Sequence, residues 1–217
     1  MQANYVQRLR FRFSKAGPAR FISHLDLARA LERALNRARI PVAYTQGFNR
    51  RPRLQFAAAL PLGFTSEAEL ADVWLLERVE PPMAHEQIMS RMAPGITVHE
   101  VWEVALEAPA MQAVTVETAF FASLPDGVDV VALQQRVAAA LAAQTLPRER
   151  RGKEYDLRPL IHDLALAPVD GGWQLALRLA LEPGATGRPD EVLAALGLDP
   201  LDLHVHRTAI VVRDSVT

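Results

Sequence analysis

Two kinds of hydrophobic spacing alternate along this chain in an order that occurs twice, and few folds accommodate that order. At residues 6–13, Leu9, Phe11 and Phe13 recur at every second position between Arg8, Arg10 and Arg12, the period of a strand with one apolar face. From Ser23 the spacing lengthens. Leu27, Leu31, Leu35 and Ala38 make one stripe of a helix, and Arg29, Arg33 and Arg37 make another. Ser23 followed by Asp26 is a helix-start pattern, and Pro41 marks the far limit. Strand-like segments come next at 54–60 and 67–77, then a short helix at 83–92. A fourth strand follows, with Ile96, Val98, Trp102, Val104 and Leu106 assigned to one face and Glu100 interrupting. The second half repeats the order: strand 116–124, helix 131–143, and strand 157–166. An alternating strand through Trp173, Leu175, Leu177, Leu179 and Leu181 comes next, then a helix opened by Pro189 and closed by Gly197, then a strand at 203–212. Two successive β-α-β-β-α-β units predict an α+β protein of two tandem ferredoxin-like domains, 1–110 and 111–217, divided near Pro109.

Composition sets the chemistry that is open to such a chain. Half of the 217 residues are apolar and 23% are charged, which is globular rather than disordered composition. No apolar run approaches the ~18 residues of a membrane span, and residues 1–12 contain no apolar leader core. A soluble, cytoplasmic protein is expected. Zero cysteines exclude disulfides, thiol catalysis, thiolate zinc sites and any iron–sulfur cluster held by this chain. No phosphate-binding glycine loop, dinucleotide fingerprint or nucleophile elbow occurs, and no cofactor is expected.

The net charge of −1 conceals a division. Residues 1–60 hold twelve basic residues against two acidic ones, a balance of +10, and the remaining 157 residues balance at −11. The N-terminal domain is therefore basic and the C-terminal one acidic, as in proteins that offer one face to a polyanion. Of the 24 basic residues only Lys15 and Lys153 are lysines; arginine suits bidentate phosphate contact, and a GC-rich genome accounts for the same bias.

Several groups of residues are candidates for a binding site. Arg8, Arg10 and Arg12 alternate away from the apolar face and would lie on the open face of the sheet, where single-stranded RNA binds in the commonest RNA-binding version of this fold. A solvated strand face, or a contact with the second domain, is the plainer reading. The aromatic, glycine-containing signature of that RNA-binding version is missing, so any grip would be electrostatic. The loop Tyr44, Gln46, Gly47, Phe48, Asn49, Arg50, Arg51 and Arg53 combines amides, guanidiniums and aromatics as base and phosphate recognition does; its alternative is a polar loop whose Phe48 plugs the core. Residues 148–158 form a charged loop with Arg151, Lys153, Tyr155 and Arg158, in which an Asp156–Arg158 network would impose order. His24 at a helix start is a candidate general base or a bystander to the cap. His162, His204 and His206 lack an accompanying carboxylate pattern, and no metal site is expected.

Five phrases carry a resemblance: Phe-Ile-Ser-His-Leu-Asp-Leu at 21–27, Thr-Gln-Gly-Phe-Asn at 45–49, Leu-Pro-Leu-Gly at 60–63, Lys-Glu-Tyr-Asp-Leu-Arg-Pro-Leu-Ile at 153–161 and Gly-Arg-Pro-Asp-Glu-Val-Leu at 187–193. Together they resemble the bacterial family of radical SAM-linked proteins, a domain of unknown function that stands alone or is fused to the C-terminus of a radical SAM protein. The family reads Asn-Pro-His-Pro after the Gly-Phe, whereas here Asn49 is followed by Arg50, Arg51 and Pro52. The resemblance implies a radical SAM enzyme acting in trans. With no cysteine to hold its cluster, this chain would hold or present the substrate rather than perform the radical step. A second resemblance, of architecture alone, is to the CRISPR RNA-processing endonucleases; it implies a metal-independent ribonuclease using His24, although their glycine-rich loop near the C-terminus is absent. The leading expectation is a non-catalytic, RNA-binding or substrate-presenting partner in RNA modification or processing. The alternatives are that ribonuclease and a pure protein–protein adaptor.

Overall fold

A computed structural model describes residues 5–46 and 48–213. The chain is a mixed α/β protein with five α-helices among the described residues, and it divides into two compact units, 1–112 and 113–217.

In the first unit, β1 (Gln7–Lys15) leads through a 3-10 turn to α1 (His24–Arg37), then β2 (Leu54–Phe56), β3 (Thr65–Leu75), α2 (Pro81–Met89) and β4 (Ile96–Val104). Pairing is antiparallel throughout, with β1 between β4 and β3 and β2 on the far side of β3. Leu9, Phe11 and Phe13 of β1 are buried together with Leu27, Leu31 and Leu35 of α1, so the two sequence stripes meet in one core. The Ser23 hydroxyl accepts from the Asp26 N–H and opens α1. Its far end is closed before Pro41, because Arg39 takes φ +56° while the Ile40 N–H reaches the Leu35 carbonyl at 3.1 Å. That is a Schellman closure with arginine where glycine is usual.

β4 departs from the sequence reading. Arg12 faces Glu100 but Phe13 faces Val98, so His99 is an extra residue, a β-bulge that reverses the phase of the strand. Ile96 and Val98 face the core, and beyond the bulge Val101 takes that side while Trp102 and Val104 stand opposite Arg10 and Arg8. The apparent interruption at Glu100 was the signal of this bulge.

The second unit begins with α3 (Met111–Val114), which straddles the boundary, and β5 (Thr115–Ser123). It continues with α4 (Val130–Ala142), the hairpin strands β6 (Pro147–Arg150) and β7 (Lys153–Asp156), β8 (Ile161–Val169), β9 (Gly172–Glu182), the short β10 (Ala185–Thr186), α5 (Pro189–Ala195) and β11 (His204–Val212). Here β5 lies between β11 and β9, and β8 pairs with the other edge of β9. Setting the β6–β7 hairpin and β10 aside, the pairing order fourth-first-third-second is that of the first unit. Leu175, Leu177, Leu179 and Leu181 of β9 are buried and Ala176 and Arg178 exposed, as the alternation requires.

Candidate nucleic-acid interface

The polar face of β1 is largely occupied from within. Asp72 of β3 stands directly opposite Arg10 and diagonal to Arg8. Its carboxylate accepts from Arg8 Nε at 2.9 Å and from Arg10 Nε at 2.7 Å, and Arg8 also donates to the carbonyls of Ala108 and Pro109. Trp74, opposite Arg8, lies 4.6 Å beneath its guanidinium. The side chains of Arg8, Arg10 and Arg12 are 1%, 14% and 44% exposed. The expected track of three open guanidiniums is thus corrected. Arg8 is a buried structural cation, Arg10 shares its counter-ion, and only Arg12 reaches solvent, 3.7 Å from Glu100.

The loop after Val42 projects from a tied base. Tyr44 bridges Pro52, the Thr45 N–H donates to the Arg51 carbonyl at 2.8 Å, and the Arg51 N–H returns a bond to the Thr45 hydroxyl. Phe48 at the tip is fully exposed (109% of its reference area), which disposes of the alternative that it plugs the core. Gln46, Asn49, Arg50 and Arg51 are exposed beside it, whereas Gly47 lies outside the described residues. Tyr44 is held by a hydrogen bond from its hydroxyl to Asn36 Oδ1 at 3.0 Å. Arg53 does not join the tip. Its guanidinium lies over the rings of Tyr5 and Trp74, at 4.5 and 4.6 Å, on the wall of a cleft of about 380 Å³ at the root of the loop.

Along α1, Arg29, Arg33 and Arg37 are exposed on the side away from Leu27, Leu31 and Leu35. Arg29 pairs with Asp26 at 3.0 Å, and that pair, after the Ser23 hydroxyl, holds the Asp26 carboxyl below its ordinary pKa. His24, the first residue of the helix, packs edge-on against Phe56 with ring centres 4.9 Å apart. Among the described residues no group of His, Asp and Glu side chains is arranged to hold a metal; His162 instead meets Glu117 at 2.7 Å.

In the second unit, the charged segment read as a loop is the β6–β7 hairpin, turning at Arg151–Gly152. Asp156 orders its base, since Oδ1 accepts from the N–H groups of Leu146 (2.7 Å) and Arg158 (3.0 Å). The Arg158 guanidinium is spent on the carbonyls of Leu141, at the end of α4, and Ile161. This is the network anticipated for Asp156 and Arg158, and it makes Arg158 a structural cation rather than a ligand contact. Arg151, Lys153 and Tyr155 line a cleft of about 790 Å³ together with Arg150, Thr186 and Arg188. Arg150 belongs to the charged segment itself, whereas Thr186 and Arg188 were missed because no local pattern marks them. A Pro183–Gly184 turn with Gly184 at φ +80° brings them in by folding β10 back on β9. Gly187 permits the approach, since a Cβ there would stand 2.6 Å from the Leu160 carbonyl oxygen.

Fold and surface thus define a two-unit α/β protein that exposes an aromatic, arginine-bearing loop in one unit and a cationic cleft in the other. The chain belongs to a family described as an uncharacterized protein conserved in bacteria (DUF2344), whose model matches residues 8–189. No curated protein matches it.

Proposed function

We propose that the protein is a non-catalytic RNA-binding partner that presents its substrate to another enzyme, built from two tandem ferredoxin-like domains and acting in the cytoplasm. The shared pairing order of the two units supports the fold reading. The observation that carries the function is the tip of the 44–53 loop. A fully exposed phenylalanine flanked by exposed Asn49, Arg50 and Arg51 costs solvation in the free protein. It supplies what single-stranded RNA takes: a ring on which a base stacks, and cations for the adjoining phosphates. The exposed stripe of Arg29, Arg33 and Arg37 extends the positive surface of the same unit.

The partner half of the reading rests on a second feature. Phe21 (64% exposed), Leu25 and Leu62 (each 62%) leave apolar surface in two of the phrases that resemble radical SAM-linked proteins, and a bond of 2.8 Å from the Gly63 N–H to the carbonyl of Arg20, the residue before Phe21, ties the second phrase to the start of the first. A radical SAM enzyme acting in trans is the partner that resemblance implies.

The test is RNA binding against salt, with total cellular RNA as ligand and wild type beside Phe48→Ala and Arg50→Ala/Arg51→Ala. Each lost phosphate contact should flatten the slope of log affinity on log salt by about 0.7. Phe48→Ala should cost about 1–3 kcal/mol with little change of slope. Arg53 is left intact because its guanidinium supports Trp74. Absence of binding at ~0.15 M salt, where exposed charges are screened beyond ~8 Å, would overturn the RNA reading and leave the loop as a docking surface for protein.

A further inference from the structure

The β6–β7 hairpin breaks three rules of hairpin stability, and two of the breaks add positive charge to one cleft. Its strands are four residues each and pair only with one another among the described residues, which is marginal for an isolated ribbon. Arg150 stands directly across from Lys153, and Glu149 across from Glu154, so both pairs next to the turn are like-charged. Arg151 holds φ +52° and Gly152 φ +74°, a two-residue turn whose first position ordinarily takes Asn, Asp or Gly.

Cross-strand register places Arg148, Arg150, Lys153 and Tyr155 on one face of the ribbon. Glu191 answers Arg148 and Arg150, at 3.4 and 3.6 Å, and leaves Arg151 and Lys153 with no acidic partner among the described residues. Arg188 gives one terminal nitrogen to Asp190 at 2.9 Å, but its Nε is buried without an acceptor. Tyr155 Oη is buried beside Glu191. Burial, then the neighbouring Glu191, raise the pKa of this phenol, so at neutral pH it keeps its proton. Tyr155, Arg188, Arg151 and Lys153 all line the 790 Å³ cleft. One buried donor, Arg188 Nε, lacks an acceptor and two cations lack anions around one space of nucleotide size.

We propose that this cleft binds the phosphate groups of a nucleotide, either free or as a residue of RNA. Two unneutralised cations suit a doubly charged anion, and the planar donors of arginine match phosphate oxygens. The inference stands on residues of the second unit and is independent of the 44–53 loop.

Two substitutions test it without endangering the fold. Arg151→Gly removes the guanidinium and suits the positive φ. Lys153→Glu places an acid across from Arg150. Both should melt at or above the wild-type temperature and yet bind less. Calorimetric titration of the full chain with inorganic pyrophosphate, with ATP and with a single-stranded oligoribonucleotide supplies the readout, and outside the cleft Arg91→Gly and Arg91→Glu are the controls that match the charge change of Arg151→Gly and Lys153→Glu. Wild-type binding weakened about tenfold by each cleft substitution and spared by the controls is the expected result. Tighter binding of ATP than of the oligonucleotide assigns the site to free nucleotides, and the reverse order assigns it to RNA. No binding of any of the three ligands, or losses equal to those of the matched controls, would overturn the proposal.

Discussion

Asp72→Asn should be among the most damaging single substitutions that preserve side-chain shape in the first unit. Asp72 is fully buried, and it is the one carboxylate that Arg8 and Arg10 both contact. Arg10 is 14% exposed and can turn part of its guanidinium to water, whereas Arg8 at 1% cannot. In the variant, Arg8 keeps the carbonyls of Ala108 and Pro109 and the face of Trp74, but its charge has no counter-ion. Breaking a buried pair from one side costs about 3–5 kcal/mol, and the surviving carbonyl acceptors place the expectation near the lower end. Urea unfolding followed by tryptophan fluorescence is the assay, since two of the three tryptophans, Trp74 and Trp102, belong to the first unit. With a slope of about 2 kcal/mol/M, a loss of about 3 kcal/mol moves that unit's midpoint by about 1.5 M. Arg8→Met combined with Asp72→Asn should recover at least about 1.5 kcal/mol relative to additivity, because the stranded charge is then gone. A loss below about 1 kcal/mol, or simple additivity, refutes the account of Arg8 as a buried structural cation.

Two other perturbations follow from single geometries. Arg39→Gly relieves a left-handed residue at the end of α1 and should stabilise the first unit by about 0.5–1 kcal/mol in the same assay; destabilisation would mean that the Arg39 side chain makes a contact worth more than the strain. Burial alone would raise the pKa of Glu117, but hydrogen bonds from Arg178 and His162 outweigh it and bring the carboxyl below its ordinary 4.5. The stability this supplies is full above that value and is lost as pH falls through the lower folded-state pKa. Glu117→Gln should therefore lower the melting temperature near neutrality and converge with wild type in acid; a constant difference across the range would contradict it.

What the sequence made legible was whatever depends on neighbours in the chain. The period-two run of β1, the leucine stripe of α1 and the alternation of β9 each declare a buried face within ten or fifteen residues, and each is buried as expected. The loop character of 44–53 was readable from Gly47, Asn49 and Pro52, and the Asp156–Arg158 network from its spacing. Two features were hidden because their cause lies elsewhere in the chain. The partner of Arg8 and Arg10 is 62–64 residues away on β3. The β6–β7 pairing has no apolar alternation to announce it, since both faces of the ribbon are charged.

The same distinction explains why the charge balance pointed to the polar face of β1. A sum over residues 1–60 counts cations without regard to what stands opposite them. Arg8, Arg10 and Arg12 are met by Asp72 and Glu100, acids that fall outside that window, and Arg29 by Asp26 within it. The surplus that remains exposed lies on the 44–53 loop and along α1, not on the open strand. The converse holds in the acidic half, where Glu149 and Glu154 occupy one face of a ribbon whose other face leaves Lys153 unanswered. Recognition of an anion depends on potential over a few ångströms, within the ~8–10 Å reach set by screening. The informative quantity is therefore each cation's nearest acid in the fold, and by that measure Arg50, Arg51, Arg151 and Lys153 are the residues on which both binding proposals turn.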